Sequence, residues 1–281
     1  MADQKVVQDL KEKVFVLKKQ LFKLCNQTMI HIGGDLSAAE FMTVIWQYAM
    51  KYDPKNPSWE DRDRFVLSKG HAAAVTSFSQ AALGIYDPEE IYQEYATDYG
   101  RFGMHSCNLI NDYVEVSTGS LGHGLPVAVG IAEAIRRKGI KSRVYVVMGD
   151  GETNEGSIWE GAMQANHLEL GNLIGFVDRN KLQLDNETEK LIKLEPFADK
   201  WRAFGWNVIE ADGHDIAALV DIVDNLPSVD SKKPTIVICD TVKGNGVSFM
   251  ENNASWHLGM VDDEKYALAM KEIEEAYKGG V

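Results

Sequence analysis

An aspartate set between two glycines, with an asparagine 30 residues further on, is the most chemically informative spacing in this 281-residue sequence. Gly149-Asp150-Gly151 follows a β-branched run, Arg143 to Met148. Asn180 follows a second apolar run, Leu173 to Val177, with a helical segment in between. A strand, a tight turn, a helix and a second strand form a unit whose two strands run parallel, so their carboxyl ends share one edge of a sheet. Asp150 and Asn180 are therefore expected side by side. A carboxylate and an amide oxygen are hard donors suited to Mg²⁺ carrying a phosphate group. Gly149 and Gly151 let the backbone approach that phosphate and offer it N–H groups. Seven histidines, several at loop–strand junctions, add groups that titrate near neutrality.

The elements that must position these groups can be read in order. Residues 4–29 have apolar positions at steps of three or four (Val6, Leu10, Val14, Leu17, Leu21, Leu24), which predicts a helix with its lysines on a solvated face. His31-Ile32-Gly33-Gly34 reads as a loop, and Ser37-x-x-Glu40 as a capping box opening the next helix, with Phe41, Val44, Ile45 and Tyr48 on one face. Arg64 to Leu67 reads as a short strand with Ser68-Lys69-Gly70-His71 at its carboxyl end, followed by an alanine-rich helix and another opened by Asp87-Pro88. Periodicity is lost from Tyr99 to Ser117, a long loop of the kind that usually carries function. Gly119 to Gly124 leads into a helix to about Lys138, a glycine-rich start that could hold an anion. After the Gly149–Asp185 unit, residues 186–195 read as a polar loop and 197–204 as a helix. A strand is expected at 206–210, a helix at 215–226 and a buried strand at 234–239. Residues 240–259 read as loop and irregular chain, and 262–277 as a closing amphipathic helix. Alternating strands and helices predict an α/β fold: one doubly wound, mainly parallel sheet with helices on both faces, in a single domain over 1–281.

Composition narrows the function. A hydrophobic content of 45% fits a globular chain, and no stretch approaches the roughly 20 apolar residues of a membrane span. Three cysteines (Cys25, Cys107, Cys239) with no CxxC argue for reduced thiols and a cytoplasmic setting. A net charge of −13 disfavours nucleic acid and acidic membrane surfaces. A phosphate on a substrate must then find local cations, on this chain or another.

Several segments together resemble the transketolase branch of the thiamine-diphosphate enzymes. They are Gly149-Asp150-Gly151 with Asn180, His31-Ile32-Gly33-Gly34, Ser68-Lys69-Gly70-His71, Gly103-Met104-His105, Thr118-Gly119-Ser120-Leu121-Gly122, Glu155-Gly156, Asp212-Gly213-His214-Asp215, and Lys243-Gly244-x-Gly246 with His257. The resemblance runs from about residue 15 to residue 260. It implies the thiamine-diphosphate-binding fold and an enzyme that moves a two-carbon ketol unit from a ketose, or ketose phosphate, to an aldose. The length matches only the diphosphate-binding domain of such enzymes, which implies a separate C-terminal subunit supplying the pyrimidine-binding domain and the arginines for a substrate phosphate, in an α2β2 assembly.

The resemblance also implies roles. Asp150, Asn180 and the Leu182 carbonyl become Mg²⁺ ligands. Gly119, Ser120, Leu121, Gly149, Gly151 and Lys243 become cofactor contacts, and Glu155 a residue coupling two active sites. His31, His71, His105 and His257 line the cavity over the reactive ring, with His71 and His257 also reaching the cofactor. Ser106-Cys107 departs from the Pro-Glu that commonly follows the third histidine, and His123 stands where many members have Gln. His167 and His214 read as structural. Two other enzyme classes share parts of this pattern. Deoxyxylulose-phosphate synthase is a longer chain with a different substrate loop, and 2-oxo acid decarboxylating subunits are not expected to carry the His31, His71 and His105 set. A non-catalytic cofactor-binding partner is the reading from outside enzymes.

Overall fold

A computed structural model describes residues 2–279. Met1, Gly280 and Val281, the ends of the domain expected over 1–281, lie outside the described residues. Five strands make one parallel sheet: β1 (Arg64–Leu67), β2 (Val144–Gly149), β3 (Leu173–Arg179), β4 (Asn207–Asp212) and β5 (Thr235–Asp240), in the order β1-β2-β3-β5-β4. The strands form where the β-branched and apolar runs lie; the three central strands are buried on both faces and alternate sides with period two, while the edge strand β4 is only partly buried. Tyr145 and Val147 of β2 join one core while Val144, Val146 and Met148 join the other. In β5, Val237 and Cys239 face the first core and Ile236 and Ile238 the second.

Helices cover both faces. The first core packs under α1 (Gln4–Gln27), α2 (Ile32–Val44), α3 (Ala73–Ala82), α4 (Pro88–Glu94), α9 (Ile216–Asp224) and α10 (Asp263–Lys278). The second packs under α5 (Gly124–Arg137), α6 (Gly156–His167) and α8 (Phe197–Ala203), with Trp201 and Trp206 in it. The expected polar loop at 186–195 contains one helical turn, α7 (Thr188–Leu191). No helix is long and apolar enough to cross a membrane among the described residues. The doubly wound α/β reading of the sequence is the architecture found.

The region of α2 corrects the sequence reading. His31 to Gly34 is not a loop: the His31 carbonyl accepts from the amides of Gly34 and Asp35, both at 3.0 Å, and the helix starts there. Ser37 and Glu40 therefore sit mid-helix and form no capping box. Both point inward. Ser37 Oγ donates to Asp178 Oδ2 at 2.6 Å, and Glu40 pairs with Lys18 at 2.7 Å. Every residue of α2 is buried, so it has no single apolar face, and Tyr48 beyond it is partly exposed. Lys18 likewise leaves the solvated face expected for the α1 lysines, because Glu40 draws it inward.

Candidate active site

The carboxyl edge of the sheet gathers the chain's polar loops. Register sets Gly149 beside Asp178, and Arg179 beside Asp240. Asp150, one step past β2, is buried; its Oδ2 accepts from the Lys181 amide at 2.7 Å and from Arg179 Nη1 at 2.9 Å. Its Oδ1 accepts from the Gly151 amide at 2.7 Å. Burial pushes the Asp150 carboxyl up, and Arg179 offsets part of that rise. Asn180, also buried, donates through Nδ2 to Asp178 Oδ2 at 3.0 Å, which leaves Oδ1 as its outward acceptor, 3.1 Å from the Leu182 amide. Asp150 and Asn180 thus meet around residues 181–182, as parallel strands require.

Four histidines converge on the same edge from four separate segments. His31 caps α2, His71 follows β1, His105 lies in the long loop and His257 follows a short 3₁₀ turn at Ala254–Trp256. Ring centroids separate His31 from His71 by 5.3 Å, from His105 by 5.4 Å and from His257 by 5.4 Å, and His71 from His257 by 5.2 Å. Burial holds His31 down to about 4, helped by His105, Lys69 and Lys243. Burial and the Lys243 charge hold His257 down to about 3, and burial with Lys69 takes His71 well below its ordinary value. All three are neutral imidazoles at neutral pH, each with one nitrogen to donate and one to accept a proton.

Lys243 links the two groups. Its buried ammonium donates to His257 Nδ1 at 2.9 Å, so the His257 proton is placed on Nε2. It also approaches the carbonyls of Leu182 (3.4 Å) and Gln183 (3.3 Å). Burial, then the Lys69 charge, brings Lys243 down to about 8, so it is cationic at pH 7. A cation at the Leu182 carbonyl is an observation in favour of metal binding there. One carboxylate, one amide oxygen and one carbonyl, with remaining positions left to phosphate oxygens and water, is a donor set of the kind Mg²⁺ takes. Among the described residues no group of three or more His, Cys, Asp or Glu side chains could hold a metal, so any ion here needs those further oxygens.

The glycine loop before α5 closes the site. A Cβ built on Gly119 would lie 3.5 Å from the His105 ring, which places this loop against the cluster. Gly122 has φ +86° and its amide donates to Glu152 Oε1 at 2.9 Å. Leu121 is half-buried, while Ser120, His123 and Glu155 are exposed and none is among the clustered rings. Glu155 caps the start of α6.

Sequence reasoning missed the buried charges beneath the site. Lys69 and Asp178 form an ion pair at 2.5 Å with side chains 1% and 0% exposed, and Lys69 also donates to the Gly34 carbonyl at 3.1 Å. Asp178 accepts from Thr241 as well as Ser37 and Asn180, so it orients the Asn180 amide. Burial alone would raise its carboxyl, but Lys69 and the Ser37 and Thr241 hydrogen bonds together outweigh burial and hold it below the usual range. Glu152 accepts from Ser68 and from the amides of Gly122 and Gly149, tying three loops to one carboxylate. The only signal for these was adjacency: Lys69 beside His71, Asp178 beside Asn180, Glu152 beside Gly151.

Comparison with known proteins gives this edge its family. Residues 23–274 match the family described as transketolase, thiamine diphosphate binding domain, and the chain belongs to that family. It is 41% identical over 251 residues to one of the subunits of the apulose-4-phosphate transketolase of Phocaeicola vulgatus, covering 87% of this chain and 86% of that one. It is 36% identical over 277 residues to a 6-deoxy-6-sulfo-D-fructose transketolase subunit of a Clostridium species, covering 98% and 99%. The crystal structure of the transketolase from Campylobacter jejuni superimposes with a TM-score of 0.85 at 26% identity over 99% of this chain, which spans 43% of that one. The chain corresponds to the N-terminal, thiamine-diphosphate-binding subunit of transketolases divided between two chains.

Proposed function

We propose that this chain binds thiamine diphosphate with Mg²⁺ and, together with a separate C-terminal subunit, transfers a two-carbon ketol unit from a ketose to an aldose in the cytoplasm. The observation that carries this reading is the direct adjacency of a neutral histidine cluster to the oxygen set of Asp150, Asn180 and the Leu182 carbonyl, with Lys243 touching both. When bound, the cofactor supplies a nucleophilic carbon that can accept and pass on a two-carbon unit. The chain's own residues then divide the work. Asp150, Asn180 Oδ1 and the Leu182 carbonyl hold the metal, and the amides of Gly149 and Gly151 face the diphosphate. His31, His71 and His105 hydrogen-bond substrate hydroxyls and carry protons between them. His257, kept as the Nε2–H tautomer by Lys243, donates from that nitrogen.

Several features favour a two-chain site, in an α2β2 assembly. His105 is exposed and His71 and His257 are half-buried, so the cluster is reachable from solvent, and a cleft of about 810 Å³ is lined by Arg179, Lys181, His214, Asp240 and Val242 but by none of the four. The cations nearest the cluster are engaged, Lys69 by Asp178 and Lys243 by His257 and two carbonyls. A terminal anion on the substrate is therefore held by the partner. The relatives' names, one a sugar phosphate and one a sulfosugar transketolase, fit a donor with a terminal phosphate or sulfonate, within or beside pentose phosphate chemistry.

The test mixes the purified chain with its C-terminal partner, thiamine diphosphate and Mg²⁺ and follows ketol transfer from phosphorylated and sulfonated ketoses. Transfer by the mixture and none by either chain alone is expected. No transfer from any donor by a mixture that binds the cofactor normally would refute the enzymatic reading, and transfer by the isolated chain would refute the divided site.

A further inference from the structure

Behind Lys243 a polar relay runs from α1 to the cofactor edge through His214, a residue with no part in the chemistry above. Lys18 on α1 pairs with Glu40 on α2 at 2.7 Å, with side chains 10% and 7% exposed. Glu40 Oε2 meets His214 Nδ1 at 2.9 Å, and His214 Nε2 accepts the Val242 amide at 2.9 Å. A backbone amide can only donate, so Nε2 is unprotonated and the ring proton sits on Nδ1, directed at Glu40. Asn245 Nδ2 also lies 2.9 Å from Nδ1; with Nδ1 protonated, its bond goes to Glu40 Oε1 at 3.3 Å. A Cβ on Gly213 would collide with Thr241 Cγ2, so only glycine lets the 212–215 turn come this close to the 240–246 loop. Lys243, next after Val242, is also tethered by Gly244 N to the Gly33 carbonyl (3.0 Å) and by Asn252 N to its own carbonyl (2.9 Å).

We infer that His214 is a positioning residue. Held by Glu40 and Lys18, it anchors the Val242 amide and thereby fixes where the Lys243 ammonium stands relative to His257 and the candidate diphosphate site. Only the link to the diphosphate rests on the function proposed above; the link to His257 does not. The relay gives two buried charges and a histidine a role at a place that touches no candidate substrate group.

Two substitutions separate anchoring from packing. Asn places its amide where His carries Nδ1, so His214→Asn keeps the Glu40 contact but falls short of the Val242 amide. Gln reaches the Nε2 position, so His214→Gln keeps that acceptor. The first readout is the ring-nitrogen NMR signature of His257 in the full chain without added ligand. A pinned Nε2–H tautomer is expected in the wild type and in His214→Gln, and an averaged tautomer in His214→Asn; an unchanged His257 signature in His214→Asn would overturn the inference. The second readout is the calorimetric affinity of the complex with the C-terminal subunit for thiamine diphosphate with Mg²⁺. His214→Asn should weaken it about tenfold, as loss of one buried hydrogen bond does, but by less than about twofold in a Lys243→Ala background, where the residue it positions is gone. Additive losses would overturn the inference. A wild-type two-subunit complex that binds no thiamine diphosphate would sink the proposed function, while the His257 signature still decides the role of His214.

Discussion

Replacing Lys69 by Met tests whether the ion pair under the active site is a structural necessity. The ammonium and the Asp178 carboxylate are 2.5 Å apart with almost no solvent access. Removing the ammonium leaves Asp178 with Ser37, Thr241 and Asn180 as hydrogen-bond donors but without a countercharge. Breaking one side of a buried pair costs about 3–5 kcal/mol, and the three remaining donors place this case near the lower end. An unfolding entropy of about 2.1 cal/mol/K per residue makes ~3 kcal/mol worth roughly 5 °C in a chain of this length. Thermal unfolding of the purified chain near pH 7.5, followed by circular dichroism, is the assay. A second signature distinguishes this cause from a packing defect. In the wild type Asp178 lies below the usual carboxylate range, so its contribution is present above that range and lost in acid; without Lys69 burial raises it, and stability is regained as the carboxyl takes up a proton. The gap between variant and wild type should therefore narrow from pH 7.5 to pH 5.5, and Lys69→Met with Asp178→Leu should recover much of the loss. A melting shift below about 1 °C, or a gap that widens on acidification, would refute the reasoning.

Other perturbations read other parts of the site. Three buried or half-buried histidines with lowered values release protons that the unfolded chain holds, whereas Asp35, pushed up to about 7 by burial, does the reverse. The unfolded state therefore binds roughly two more protons between pH 6 and 5, and stability should fall by roughly 2–3 kcal/mol per pH unit there, measurable by urea unfolding; a flat profile contradicts the burial of the histidines. Gly122→Ala puts a Cβ 2.6 Å from Glu155 Cβ at a φ of +86°, so a loss of about 1–3 kcal/mol in the same assay is expected. Asp150→Ala should abolish Mg²⁺-dependent cofactor binding by calorimetry, and unchanged affinity would remove Asp150 from the metal site. His31→Ala should lower turnover in the two-subunit complex roughly 100-fold while cofactor affinity changes less than about threefold; the opposite split would take His31 out of the substrate shell.

The strands, their parallel direction and the meeting of Asp150 with Asn180 were legible because each rests on a local pattern: apolar runs, each ended by a polar turn. The start of α2 was not, since His-Ile-Gly-Gly has the composition of a loop and becomes helical only because its glycines pack beside Trp256 and Lys69. Ser37 and Glu40 imitated a capping box for the same underlying reason, as their polarity serves partners 141 residues away at Asp178 and 174 away at His214. Such pairings leave no periodic trace, because a buried lysine and an exposed one look alike in sequence until the carboxylate is found. Spacing picks out the four histidines only singly; their place in one cavity came from the family resemblance, and His31 sits among the other three because this stretch turns into a helix.

The buried lysines also explain how the site stays electrically poised in so acidic a chain. Burial is the main reason His31, His71 and His257 are neutral, and Lys69 and Lys243 add to it, yet each lysine is compensated, Lys69 by Asp178 and Lys243 by carbonyls and an imidazole. A proton-carrying cluster needs that neutrality, since an imidazolium can accept nothing. Adding a free cation to hold a substrate's terminal anion would strengthen the field on the histidines and cost the chain nothing elsewhere, but it would stand in the cluster with no countercharge until substrate arrived. Placing that cation on a second polypeptide separates the two demands. On the function proposed above, the histidine chemistry remains with the chain that holds the diphosphate, and a substrate's terminal anion is left to the partner.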